Sequence, residues 1–237
     1  MSRAAVTGIG WVTPAGMGRA RRGDAFVPGA GPLPRIERQA VFDFPMPRFK
    51  RMDGLCRLGM AGITLCLADA QLDAWYRKRT IALVAGSRYG CLQTDFAYYK
   101  SVIDPRVAPS PSLFAYTLGN CFLGEAASAF GLNGTAFVIN DATMTDTTVL
   151  DGAFDNLCQS SPDGVLTGVC DLGPPREAGL AADDLPVGAL FVMLAPNPGN
   201  TSFSAFGELE RDNGIFLFNG VPIASLIDLV KQCRLTL

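Results

Sequence analysis

Residues 53–72 constrain the fold more than any other stretch of this chain. Their apolar side chains, Leu55, Leu58, Met60, Ile63, Leu65, Leu67 and Leu72, nearly encircle a helix. A helix with one apolar stripe can lie on a surface, but one that is apolar all round must be covered on most sides. Layers of structure must therefore enclose it, with Asp53 placed to cap its start. Apolar runs supply those layers. Residues 4–10 and 81–86 read as buried strands that close on glycine, and residues 135–140 and 165–169 as two more. Helices are expected over 92–103, 119–130 and 143–159, the second stopped by Gly131 in a left-handed conformation. Loops fall at 23–35, 107–111 and 172–186. The last third adds strands at 187–194, 202–209 and 215–218, a hairpin turn at 211–214, and a helix over 222–233 with Pro222 in its first turn. Strands alternating with helices, then a run of strands, predict one α/β domain over residues 1–237, a mixed sheet packed with helices.

Composition excludes several classes of function. Apolar residues make up 49% of the chain and charged residues 18%. That balance fits either a large core or a surface partly covered by another protein. The net charge is −2, and basic residues cluster only at 19–22 and 48–51, so nucleic acid has no electrostatic footprint here. No apolar run approaches the roughly 20 residues that cross a bilayer. The N-terminus enters a strand without the pattern of a signal peptide. Seven cysteines, none in a C-x-x-C pair, read as reduced, buried small hydrophobes of a cytoplasmic protein.

The chain has no histidine. This removes Ser-His-Asp and Cys-His catalysis, His-ligated metals and a His base. No cofactor and no metal is expected. Chemistry would have to come from carboxylate, Lys, Tyr, Cys or Ser-Lys groups. Asp183 and Asp184 read as solvated loop carboxylates, Glu125 as structural support, and Cys121 and Cys158 as core residues away from any helix start.

Several motifs occur in a telling order. They are Val6-Thr7-Gly8-Ile9-Gly10-Trp11-Val12-Thr13-Pro14-Ala15-Gly16, Arg51-Met52-Asp53 with Leu67-Ala68-Asp69-Ala70, and Ala85-Gly86-Ser87-Arg88-Tyr89-Gly90. Residues 111–120, Gly124-Glu125 and Phe130-Gly131-Leu132-Asn133-Gly134 follow, then the Gly-rich strand at 187–194. Over residues 4 to about 195 the chain resembles the N-terminal half of the β-ketoacyl synthases, which have the thiolase fold. The resemblance implies half of a thiolase-like fold, with the hairpin and C-terminal helix of 200–237 appended. It places the family's nucleophilic cysteine, at the start of the central helix, on Thr143 in Asn140-Asp141-Ala142-Thr143-Met144-Thr145-Asp146. A threonine hydroxyl is a far weaker acid than a thiol and needs a base. The family's histidines and lysine come from its second half, which this chain does not contain. Read from the residues alone, Thr143 is a helix cap rather than a nucleophile.

The resemblance points further, to chain length factors, the nucleophile-free subunits of type II polyketide and aryl polyene systems. Such a subunit forms a heterodimer with a full-length ketosynthase and meets the acyl carrier protein only indirectly. In the family, dimers pair the strand before the nucleophile edge to edge, here 135–140, through residues such as Phe137 and Ile139. The segment before the nucleophile helix borders the partner's acyl pocket. By position this gives Leu113, Phe114, Tyr116 and Leu118, with Tyr89 as a gate and Met144 beside the ledge. The implied function is a non-catalytic partner that shapes the acyl or polyene pocket of a ketosynthase. Alternatives are a stand-alone acyl hydrolase or decarboxylase using Thr143, and a purely structural stabiliser. Residues of the C-terminal helix, Ile223, Leu226, Ile227, Leu229 and Val230, are expected to cover apolar surface.

Overall fold

Strands of the computed structural model build one nine-stranded sheet among the described residues, which are 2–73, 77–106, 108–160, 163–175, 178–179, 184–196 and 205–235. The strands are β1 (Ser2–Thr13), β2 (Gly16–Arg19), β3 (Ile81–Ser87), β4 (Ala136–Asn140), β5 (Gly164–Asp171), β6 (Gly188–Ala195), β7 (Gly207–Asp212), β8 (Ile215–Phe218) and β9 (Val221–Ile223). Their order is β4-β3-β5-β6-β1-β7-β8-β9, with β2 folded back on β1. β4, β3 and β5 run parallel, and the remaining pairings are antiparallel. The sheet is therefore mixed, as the alternation of elements predicts.

Side-chain alternation sends the central strands β3, β5 and β6 into two separate cores. Ala82 and Val84 of β3, Val165 and Val169 of β5, and Leu190, Val192 and Leu194 of β6 face one core. That core is closed by helices α6 (Thr148–Ser160) and α7 (Leu226–Leu235). Ile81, Leu83, Ala85, Leu166, Cys170, Ala189, Phe191 and Met193 face the other, with helices α2 (Gly54–Asp69) and α5 (Cys121–Phe130). The result is a helix–sheet–helix sandwich. α2 is buried on nearly every side, as its sequence requires, and the Asp53 carboxylate accepts the Cys56 amide at 2.8 Å to cap it.

Several boundaries differ from the sequence reading, each for a local reason. β1 does not stop at Gly10. A Cβ there would lie 2.2 Å from the Cys66 nitrogen, so the glycine serves the close approach of α2 and not a turn. The hairpin turn is the pair Asn213–Gly214, with φ of 49° and 81°, the left-handed pair that suits a two-residue hairpin. Pro222 does not open the last helix. It sits opposite Leu217 in edge strand β9, where a missing N–H is tolerated, and α7 begins at Leu226. The strand expected at 202–209 is β7, displaced to later residues, and positions 202–204 lie outside the described residues. Cys56, Cys66, Cys170 and Cys233 are buried, but Cys158 is exposed. In that last turn of α6, Asn156 and Leu157 face inward instead of the thiol. α7 does bury Leu226, Ile227, Leu229 and Val230 in the core, together with Ile223 of β9.

Of the remaining helices, α3 (Leu92–Ile103) and the single turn α4 (Pro111–Phe114) pack on each other, and α1 (Arg38–Val41) packs on α2. Ser110 caps α4 by accepting the Leu113 amide. A 3-10 turn at Pro47–Arg51 precedes α2.

Candidate functional site

Residues 141–147 form a ledge between the end of β4 and the start of α6, and they are not helical. The helix expected from Thr143 begins only at Thr148. Thr143 is therefore not its cap. The Asp146 carboxylate takes that role, accepting the Thr148 amide at 2.9 Å on one oxygen. Its other oxygen accepts the Thr143 amide at 2.8 Å and the Thr143 hydroxyl at 2.7 Å. The same hydroxyl lies 2.9 Å from that of Thr145 and accepts the Thr145 amide. Asp146 is half-buried, which opposes its charge. The hydrogen bonds from Thr143 and Thr148 outweigh that burial and hold its carboxyl below the usual carboxylate range.

The C-terminal helix clamps this ledge from behind. The amides of Leu226 and Ile227, at the start of α7, donate to the carbonyls of Asp146 and Met144 at 3.1 and 3.2 Å. Sequence reasoning missed this contact, because nothing local in residues 221–230 marks their distant acceptors.

In front of Thr143 lies a recess bounded by Arg88, Tyr89, Ala142, Val169, Asp171 and Leu185–Val187. It holds about 10 Å³, room for one water molecule at most. Asp171 organises its rim. One carboxylate oxygen accepts the amides of Arg88 and Tyr89 at 2.6 and 3.0 Å and the Ser87 hydroxyl at 3.2 Å. The other accepts the Gly173 amide at 2.9 Å. Asp171 was also missed, although an acidic residue directly after an apolar strand was a legible signal. Tyr89 and Thr143 thus line the same recess, with the Arg88 guanidinium 5.5 Å from the Tyr89 ring centre.

The other named residues do not form one surface: Phe137 and Ile139 lie against Gly152 on the α6 face of the sheet, whereas Leu113, Phe114, Tyr116 and Leu118 belong to α4 and the turn leading into α5, with Tyr116 packed against the α2–α5 core. β4 is the edge strand of the sheet, and its residues are exposed or half-exposed. Phe137 is 37% exposed, Phe114 61% and Leu118 64%. Leu113, Tyr116 and Ile139 are half-buried. The Phe114 ring tilts against Tyr98 at 5.4 Å. A groove of about 430 Å³ is lined by Arg48, Tyr116, Asn120, Cys121, Glu125 and Ala136 of β4 among others. Met144 is not exposed with any of these. It is fully enclosed in the α6–α7 core.

Cys121 is the first residue of α5, contrary to the expectation that it lies within the helix, because Leu118 to Asn120 form a turn. Its thiol is nevertheless not activated. Burial pushes its pKa up, and Asp53 and Glu125 add to the effect. Glu125 is engaged by Arg48 at 3.6 Å, which fits a supporting role. Asp184 faces solvent, and Asp183 lies outside the described residues. No cluster of His, Cys, Asp and Glu suited to a metal occurs among the described residues. No described helix is long and apolar enough to cross a membrane.

No family model matches the sequence, and no curated protein matches it. Solved structures do. A β-ketoacyl synthase from Burkholderia phymatum STM815 superposes with a TM-score of 0.62 at 17% identity, over 88% of this chain and 63% of that one. The chain has the ketosynthase fold. The ishigamide ketosynthase/chain length factor gives a TM-score of 0.63 at 16% identity, over 88% and 62% of the two chains. The ketosynthase ApeO in complex with its chain length factor ApeC, from Xenorhabdus doucetiae, gives 0.57 at 17%, over 83% and 80%. The chain thus spans under two thirds of the length of two of these ketosynthase-fold proteins. Two of these three structures hold a ketosynthase together with a chain length factor.

Proposed function

We propose that this chain is a non-catalytic, chain-length-factor-like partner of a full-length β-ketoacyl-ACP synthase in the cytoplasm. It shapes the acyl pocket in which a polyketide or polyene chain grows, and it meets the acyl carrier protein through that synthase. The observation that carries this reading is the saturated hydroxyl of Thr143. Its proton is directed at a carboxylate that stays charged below the usual range and is therefore a weak base. The recess before it has no room for an acyl thioester. The same facts weigh against a hydrolase or decarboxylase built on Thr143.

The exposed edge of β4, with Phe137 on one face of the sheet and the exposed Phe114 and Leu118 on the segment leading into α5, supports a partner at that edge. An unpaired strand edge is satisfied by strand addition, and exposed aromatics favour burial in an interface. Co-expression with an active full-length ketosynthase, followed by size-exclusion chromatography and assay of each fraction, tests the proposal. Condensing activity is expected in the shared peak and none in the isolated chain. Turnover by the chain alone that disappears in Thr143→Ala would overturn the reading. A pure stabiliser differs in one respect: Leu113→Ala with Phe114→Ala would then leave product length unchanged.

A further inference from the structure

β2 ends on Arg19, which pairs with Gly10 of β1. Paired residues of neighbouring strands share a face of the sheet, and a Cβ on Gly10 would point into the α2 backbone at Cys66. Arg19 is therefore directed to the α2 side. There a cavity of about 210 Å³ opens between β2, α1 and α2. Val41, Phe42, Leu65 and Ala68 give it an apolar lining, and Arg19, Arg22 and Gln39 supply hydrogen-bond donors.

Arg19 is half-buried, and its guanidinium makes no hydrogen bond or ion pair among the described residues. Two carboxylates are close by, and both are committed elsewhere. One oxygen of Asp24 accepts the Arg19 backbone amide at 3.0 Å and faces the Arg22 guanidinium at 3.4 Å. Burial pushes the Asp69 pKa up, with Arg21 and Arg19 among the charges opposing that shift, yet its two oxygens already accept the amides of Ile9 and Arg21 at 2.9 Å each. A cation partly withdrawn from water without an acceptor is costly, and a guanidinium fork matches a carboxylate in two parallel hydrogen bonds. Asp43 and Asp73 also line the cavity. They repel a ligand with a second negative charge, which weighs against phosphate. The volume is below that of pockets for drug-sized ligands, so the occupant is small.

We propose that this cavity binds a small monocarboxylate with an apolar body, its carboxylate on Arg19 and its body against Phe42, Leu65 and Ala68. The site uses neither the Thr143 ledge nor β4, so it stands or falls independently of the ketosynthase partnership.

The test is a titration of the full chain with 3-phenylpropanoate, followed by NMR at the methyl groups of Thr64 and Ala68, which both line the cavity. Phenethylamine and inorganic phosphate are the comparisons. The carboxylate is expected to shift these signals saturably, with a dissociation constant on the order of 1 mM, while the amine and phosphate leave them in place. Arg19→Gln is expected to weaken binding about tenfold with an unchanged melting temperature, and Arg19→Lys to recover part of the loss. Ala68→Leu, which fills the cavity and leaves Arg19 intact, is expected to abolish binding. Absence of a saturable shift, equal shifts with the amine or phosphate, or unchanged affinity in Arg19→Gln or Ala68→Leu would each overturn the proposal.

Discussion

At the scale of residues, Thr143 and Asp146 decide what the ledge can do. The hydroxyl and two amides converge on one carboxylate, so this group stabilises the turn by holding its charge. Its folded pKa lies below the unfolded value of about 3.9. The stabilisation is then present above that unfolded value and is lost as pH falls through the lower folded one. Thr143→Val keeps the shape and removes the hydroxyl. We expect it to raise the Asp146 pKa, read by carboxyl NMR titration, and to cost about 1 kcal/mol in urea unfolding. An unchanged titration would show that the hydroxyl is not donating there. Gly10 gives a harsher case. Gly10→Ala drives a methyl into the α2 backbone, and a loss on the order of 3 kcal/mol is expected in thermal or urea unfolding.

Elements were legible in the sequence where periodicity is local, and less so where distant contacts set the ends. α3 falls where its pattern placed it, and the caps Asp53 and Gly131 act as their residue types predict. The start of α6 was misplaced by five residues' worth of turn, because the Asp146 side chain and the α7 amides hold the ledge out of helix. The α7 boundary failed for a related reason: a proline suits an edge strand as well as a first helical turn. Of the named site residues, Tyr89 and Thr143 meet at one recess, Phe114 and Leu118 are exposed on α4 and the turn after it, and Phe137 is partly exposed on the α6 face of β4. Met144 went into the core, since its neighbours on the ledge turn it toward α7. Phe137→Glu is expected to leave the melting temperature of the isolated chain nearly unchanged, because the side chain is already partly solvated. The same change is expected to weaken binding to a ketosynthase partner by about tenfold or more, since it buries a charge in the joint. Isothermal titration calorimetry reads the second effect and a thermal melt the first. Leu113→Ala with Phe114→Ala, made in the complex, is expected to shift the product length distribution, read by mass spectrometry.

For the molecule as a whole, a sheet with helices on both faces leaves one parallel edge open at β4 and a second, short edge at β9. The short edge carries Pro222, which limits pairing there, whereas β4 has no proline and displays Phe137. Of the two edges, β4 is therefore the one that the proposed partnership would use. The measurement that tests this most directly is the mass of the species formed when the purified chain is mixed with an active full-length ketosynthase, by sedimentation velocity. We predict a one-to-one complex that is lost in the Phe137→Glu variant. Two independently sedimenting proteins, or a complex indifferent to that substitution, would contradict the account.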